Sequence, residues 1–258
     1  AQTGTGKTAA FTLPILQKLN ASQSTEKARD PKALILAPTR ELAIQINESI
    51  RKYGQFIALK HTVIFGGVKQ GPQVKALERG MDIIVATPGR LLDLINQGFC
   101  SLNKIEFFVL DEADRMLDMG FIRDVEKVVK ILPKKRQTLF FSATMPETVI
   151  KLANNILISP KQVKVKSTLT PVERIAQSVI VIDPKDKVLQ LITLLKEKDF
   201  NSAIVFTRTK HKANRISQKL SAVNIDCEAI HSNKSQAARQ RALNGFKDGS
   251  IKILIATD

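Results

Sequence analysis

Short apolar runs alternate with longer stretches of helical spacing along this chain. The runs 33–37, 62–65, Ile83–Ala86, Phe107–Leu110 and 138–141 are rich in Ile, Val, Leu and Phe at successive positions. A strand that is apolar on both faces belongs in a sheet covered by helices on both sides, which is the habit of parallel sheets. Between the runs, apolar residues recur one helical turn apart, as at Leu42, Ile46 and Ile50 after a Thr39 start. The pattern predicts an α/β protein.

From about residue 159 to 184 the rhythm breaks. Pro160, Pro171 and Pro184 punctuate this stretch, and Lys alternates with Val over 163–166. We read 159–176 as a linker and 177–182 as a strand that starts a second α/β unit. A helix is expected over 187–196, a strand over Ala203–Phe206, a helix over 211–222, a strand over Cys227–Ile230, a helix over 236–246 and a strand over 251–256. The domains are thus 1–158 and 177–258. The chain opens with Ala1 inside a glycine-rich loop and stops at Asp258, just after the run 251–255. We therefore expect a segment of a longer protein, with both the strand leading into the first domain and the remainder of the second domain outside it.

Composition narrows the function. A length of 258 residues fits two domains, and 43% hydrophobic with 25% charged residues excludes wholesale disorder. Only two cysteines occur, Cys100 and Cys227, and the three histidines at 61, 211 and 231 are scattered. That excludes a disulfide scaffold or a zinc site and fits a reducing, cytoplasmic setting. No apolar run approaches the roughly 18 residues of a membrane helix. Both cysteines read as structural, as do Phe140 and Phe141. His231 reads equally as structural or as part of a strand-end surface.

The formal charge is +16. Residues 1–158 carry 22 basic against 15 acidic side chains, and the shorter remainder carries 18 against 9. Such an excess points to a polyanionic partner, nucleic acid first among them. Aromatics are only 5% and Trp is absent, so contacts to the sugar–phosphate backbone are favoured over base stacking.

Ala1-Gln2-Thr3-Gly4-Thr5-Gly6-Lys7-Thr8 reads as a phosphate loop. Its glycines let backbone N–H groups close around an anion at the positive end of the helix that follows. Lys7 is placed to reach the β- and γ-phosphates of ATP, and the Thr8 hydroxyl to bind Mg²⁺. The run Phe107–Leu110 ends in Asp111, Glu112 and Asp114, which puts carboxylates at the sheet edge where ligands bind. Asp111 suits Mg²⁺ held through water, and Glu112 suits a general base on the attacking water.

Asp111-Glu112-Ala113-Asp114 resembles the signature of the DEAD-box RNA helicases, and Ala1–Thr8 resembles their variant phosphate loop with Ala in first place. Other segments agree in content and order: Pro38-Thr39-Arg40-Glu41-Leu42-Ala43, Gly66-Gly67, Thr87-Pro88-Gly89-Arg90, Ser142-Ala143-Thr144, Phe206-Thr207-Arg208, Gln236 to Arg239, and Ala256-Thr257-Asp258. The wording of 116–121 and 233–236 resembles the bacterial RhlE-type subgroup. The resemblance implies two RecA-like domains, ATP with Mg²⁺ as cofactors, and local separation of short RNA duplexes. It implies ATP contacts at Gln2, Thr3, Gly4, Thr5, Gly6, Lys7 and Thr8. It implies coupling of nucleotide and RNA states through Asp114, Ser142 and Thr144. It places single-stranded RNA on Pro38, Thr39, Arg40, Gly66, Gly67, Thr87, Pro88, Gly89 and Arg90, and on Thr207, Arg208, Gln236, Arg239 and Thr257 in the second domain. An ordinary solvated helix face is the rival reading of Gln236 and Arg239. The family's adenine-reading glutamine motif and its arginine-finger motif are not in this stretch, so residues 1–258 alone are expected to hydrolyse ATP poorly. Two rival functions are a nucleotide-gated RNA clamp with little turnover and a DNA translocase of the same superfamily.

Overall fold

The structure, a computed structural model, describes residues 5–21, 30–164, 175–197 and 200–257. The chain divides into two units, Ala1–Thr170 and Pro171–Asp258.

The first unit holds α1 (Lys7–Ala21), β1 (Ala33–Leu36), α2 (Arg40–Tyr53), β2 (His61–Ile64), α3 (Gly71–Glu78), β3 (Ile83–Ala86) and α4 (Pro88–Asn96). It continues through β4 (Phe107–Leu110), α5 (Ala113–Asp118), α6 (Ile122–Ile131), β5 (Gln137–Phe140) and α7 (Glu147–Ile156). The five strands form one parallel sheet in the order β2-β3-β1-β4-β5. Because strand side chains alternate, every second residue goes to one face. Ala33, Ile35, Ile83, Val85, Phe107 and Val109 pack with Phe11, Ile15 and Leu19 of α1 and Ala43, Ile46 and Ile50 of α2. Leu34, Leu36, Ile84, Ala86, Phe108 and Leu110 pack on the other face with α4 to α7, including Leu91, Met116, Val125, Val128 and Leu152. The central strands β1, β3 and β4 are buried throughout, as the doubly apolar runs require. The edge strand β5 is only partly covered.

The second unit holds α8 (Lys187–Glu197), β6 (Ala203–Phe206), α9 (Lys210–Ser221), β7 (Cys227–Ile230), α10 (Gln236–Asp248) and β8 (Ile253–Ala256). Its three strands are parallel in the order β6-β8-β7. Ala213, Leu220, Ala229, Ile253 and Ile255 form its core.

The strand expected over 177–182 does not form. Val179 and Val181 are about nine-tenths exposed, and no described strand runs alongside this segment. Alternating β-branched residues favour extended backbone, but a strand exists only when a neighbour takes its N–H and C=O groups. The β2 and β5 bounds lie one residue earlier than their apolar runs suggest.

Candidate nucleotide site and nucleic-acid interface

The order in which strands are added to the first sheet switches sides between β1 and β4. Connections after β1 lead towards β2 and β3, and those after β4 lead to β5. Such a switch point leaves a crevice at the carboxyl ends of the two strands, the usual ligand position in a parallel sheet. Asp111 lies there. Its N–H donates to the Leu36 carbonyl at the end of β1 (3.0 Å), and its Oδ1 accepts from the Glu112 N–H (2.9 Å). The residue is 2% exposed. Burial pushes its carboxyl up to about 6, against the opposing pull of the Lys7 ammonium and the Glu112 amide. Lys7 is the first residue of α1, directly after Gly6, whose φ of +81° is the left-handed turn that glycine adopts without strain. Thr8 is half-buried and Thr5 exposed. Gln2, Thr3 and Gly4 lie outside the described residues.

A buried carboxylate that resists ionising is the donor a bound cation would relieve. No group of three or more His, Cys, Asp or Glu among the described residues could hold a metal ion by itself. That suits Mg²⁺, which keeps waters and takes one or two carboxylates plus phosphate oxygens. The Asp111 carboxylate and the Thr8 hydroxyl fit this role.

Glu112 sits at φ 49°, ψ 53°, a left-handed conformation that costs a non-glycine residue about 1 kcal/mol. Its carboxylate pairs with Arg115 at 3.2 Å, a contact between residues three apart that helical spacing across α5 could have revealed and our sequence reading missed. Asp114 meets Thr144. The Thr144 N–H (2.9 Å) and Oγ1 hydroxyl (2.8 Å) both donate to Asp114 Oδ2. Ser142 Oγ donates to the Thr144 carbonyl (2.6 Å). Burial alone would raise the Asp114 pKa, but the Thr144 hydroxyl and amide, the Ser142 hydroxyl and the Arg115 amide together hold it below the usual carboxylate range. The three residues expected to interact are thus brought together.

The other half of the edge is basic. Thr39 caps α2, its Oγ1 accepting from the Leu42 N–H at 3.2 Å, behind the buried Pro38. Arg40 follows and lies over Gly67, where a β-carbon would collide with Nη1, Nη2 and Cζ of the guanidinium. Gly67 also has φ +78°. The space above Gly67 is thus taken by the Arg40 side chain. The Thr87 N–H donates to the Ile64 carbonyl (2.9 Å), Pro88 opens α4, and Gly89 is exposed. Arg90 donates to the Val68 carbonyl from both Nη atoms (3.4 Å each) and pairs with Asp93. The exits of β1, β2 and β3 therefore share one cluster.

In the second unit the candidates again share a carboxyl edge. The Thr207 N–H donates to the Ala256 carbonyl (2.8 Å), with Arg208 exposed beside it, and Thr257 follows β8. Gln236 and Arg239 occupy the first turn of α10 and are half-buried rather than on a solvated face. His231 is buried, its Nε2 against Asn214 Oδ1 at 2.9 Å, which favours its structural reading. Cys100 is buried, and burial pushes its thiol up to about 11, away from reactivity. Phe141 packs against Phe11, ring centroids 5.3 Å apart.

A family model described as DEAD/DEAH box helicase matches residues 1–152, and one described as helicase conserved C-terminal domain matches 186–258. The chain belongs to the DEAD-box helicase family. Its similarity to the DEAD-box ATP-dependent RNA helicase CshA of Bacillus subtilis (strain 168) is 43% identity over all 258 residues, covering 51% of that protein. The CshA of Geobacillus kaustophilus is also 43% identical, with 54% covered. The chain thus spans about half the length of the curated relatives it matches. Among solved structures, S. cerevisiae Dbp5 bound to RNA and ADP BeF3 is 33% identical with a TM-score of 0.84, over all of this chain and 64% of that one. A DEAD box protein from the hyperthermophile Methanococcus jannaschii is 39% identical with a TM-score of 0.59, over all of this chain and 68% of that one. No described helix is long and apolar enough to cross a membrane.

Proposed function

We propose that the full-length protein is a cytoplasmic, ATP-dependent RNA helicase that grips the sugar–phosphate backbone and separates short duplexes locally. One observation carries this reading. The buried Asp111 carboxylate lies at the carboxyl edge of a sheet, within the field of the Lys7 ammonium, and the other strand exits of that sheet present Arg40, Gly67 and Arg90. A nucleotide site and a basic, backbone-directed surface thereby share one rigid support. The RNA and ADP BeF3 bound to S. cerevisiae Dbp5 support the same pairing of ligands here.

In this reading Thr5 to Thr8, together with Gln2, Thr3 and Gly4, cradle the phosphates, and Lys7 neutralises the β- and γ-oxygens. Asp111, through water, and Thr8 would hold Mg²⁺, which would supply positive charge to neutralise the phosphate oxygens. Glu112 accepts the proton of the attacking water, its carboxylate released from the Arg115 pair for that role. Thr39, Arg40, Gly66, Gly67 and Thr87 to Arg90 hold phosphates of one strand, as do Thr207, Arg208, Gln236, Arg239 and Thr257 in the second unit. Contacts to backbone rather than base edges give low sequence preference. Residues 116–121 and 233–236 support an RhlE-type placement within the family, whereas the relatives described above are CshA proteins.

The test is Lys7→Ala in the full-length protein. ATP-driven strand separation should disappear while the fold, followed by thermal melting, is retained. Undiminished strand separation overturns the reading. ATP turnover stimulated by single-stranded RNA and not by DNA excludes a DNA translocase, and turnover itself excludes a passive clamp.

A further inference from the structure

Among the described residues β2 is an edge strand, with β3 on one side and no described strand on the other. The Ile64 carbonyl at its end points inward, to the Thr87 N–H. The next residue, Phe65, must point its N–H and C=O the opposite way, off the edge of the sheet. Both are nevertheless paired. Gln73 Oε1 accepts from the Phe65 N–H (3.1 Å), and Gln73 Nε2 donates to the Phe65 carbonyl (3.1 Å). One side-chain amide thus replaces the missing neighbouring strand for a single residue. Gln73 is the third residue of α3 and is 8% exposed, so solvent does not compete well for these groups.

Phe65 immediately precedes Gly66 and Gly67. The two residues after it are held by other means: Arg40 covers Gly67, and Arg90 holds the Val68 carbonyl. Gln73 is the one of these three contacts that comes from neither an RNA candidate nor a nucleotide candidate. We propose that Gln73 is a positioning residue for RNA binding, its amide closing the free edge of β2 and fixing the loop that presents Gly66 and Gly67 to a phosphate. The proposal rests on the reading above that those glycines contact RNA. Glycines need this support because two adjacent residues without side chains sample many conformations unless their flanks are fixed.

The experiment compares four variants of the full-length protein by RNA-stimulated ATP turnover, anisotropy of a labelled single-stranded RNA, and thermal melting. Gln73→Met keeps the side-chain volume and leaves the buried Phe65 N–H and C=O unpaired. It should raise the RNA concentration for half-maximal turnover about tenfold, the scale of losing such a buried pair. The maximal rate at saturating RNA should change less than about twofold, because the loop can still be forced into place by ligand. Gln73→Glu restores acceptance from the N–H but sets a carboxylate against the carbonyl, so it should be impaired at least as much. Leu77→Ala, on the same helix and packed against the core, controls for general loosening of α3. Gly67→Ala tests the underlying assignment directly.

If Leu77→Ala weakens RNA binding as much as Gln73→Met at equal loss of melting temperature, the positioning role is overturned in favour of simple stability. Should Gly67→Ala weaken RNA binding while Gln73→Met leaves it unchanged, Gln73 alone is wrong. Unchanged RNA binding in Gly67→Ala overturns the assignment of the glycine loop itself.

Discussion

Asp111→Asn should make the ligand-free protein more stable and inactive at once. The Asp111 carboxyl is raised from 3.8 to about 6 because it is buried, despite Lys7 nearby. A group whose folded pKa exceeds its unfolded value binds more protons when folded, so its relative stabilisation is complete below pH 4. That stabilisation is lost as pH rises through 6. A difference of about two pH units corresponds to about 3 kcal/mol at pH 8. Asn cannot ionise, and its Oδ1 can still accept from the Glu112 N–H, as Asp111 does at 2.9 Å. Asp111→Asn should therefore gain about 2–3 kcal/mol over the parent at pH 8 and about nothing at pH 4. The chain contains no Trp and a single Tyr, Tyr53 at the end of α2, so tyrosine fluorescence during urea unfolding reports on the first unit alone. Mg²⁺ with a non-hydrolysable ATP analogue should then stabilise the parent and not the variant. An Asp111→Asn protein that is equally or less stable at pH 8 would refute the claim that this carboxylate is held ionised at a cost.

Other outcomes follow from the same geometry. Thr144→Val removes the hydroxyl bond to Asp114, so the Asp114 carboxyl should titrate closer to its ordinary range by carbon NMR. Stability supplied by ionised Asp114, present above pH 4 and lost as pH falls through its lowered folded value, should shrink by about 0.5–1 kcal/mol given the exposed setting. Arg90→Gln should weaken RNA binding at low salt and reduce the slope of log affinity against log salt by about 0.7, as expected for one phosphate contact on a single strand; an unchanged slope removes Arg90 from the interface. Phe108→Ala empties the middle of the first core, where Phe108 is fully buried, and should cost about 3–5 kcal/mol in the same urea assay.

How much of this was legible in the sequence depends on where each interaction partner lies along the chain. β1, β3 and β4 were visible because burial on both faces demands consecutive apolar residues, and α2 because its Thr39 start and its Leu42, Ile46 and Ile50 spacing are local, although Ala43 rather than Leu42 is buried with Ile46 and Ile50. The segment 177–182 misled for the opposite reason: strand formation depends on a partner elsewhere, which composition does not encode. The same division holds at the site. Gly6, Lys7 and Asp111 announce themselves through local chemistry. Arg40 over Gly67, Arg90 on Val68 and Gln73 on Phe65 bring together segments that are separate along the chain. Gln73 in particular reads as an ordinary polar residue near a helix start until the sheet order shows that β2 has an open edge. In the proposed division of labour, Asp111 and Glu112 took their roles from their place at the strand end, and only the coupling role of Asp114 required the family resemblance.

That division of labour has a structural basis in how the signature is fastened. Asp111 is tied through its N–H to the end of β1, and the Ala113 N–H donates to the Phe141 carbonyl beyond β5 (3.0 Å). Asp114 then receives both Thr144 donors from the same β5 exit. Four consecutive residues thus span three adjacent strand exits, with Ala113 fully buried as the pivot. The β1 side leads directly into Thr39 and Arg40, and the β5 side into Ser142 and Thr144. A change in charge at the crevice acts on Asp111 at one end of this strap, and the strap has few ways to absorb it. Glu112 already occupies a left-handed conformation, and Ala113 has no room to move in a packed interior. In the proposed coupling, displacement would pass to Asp114 or to the β1 exit. Removing the Thr144 hydroxyl bond should loosen the first route while leaving the phosphate loop and the Thr144 N–H bond intact. A Thr144→Val protein that retains ATP turnover but loses strand separation would identify the strap as the link, whereas equal loss of both would place Thr144 within the nucleotide site itself.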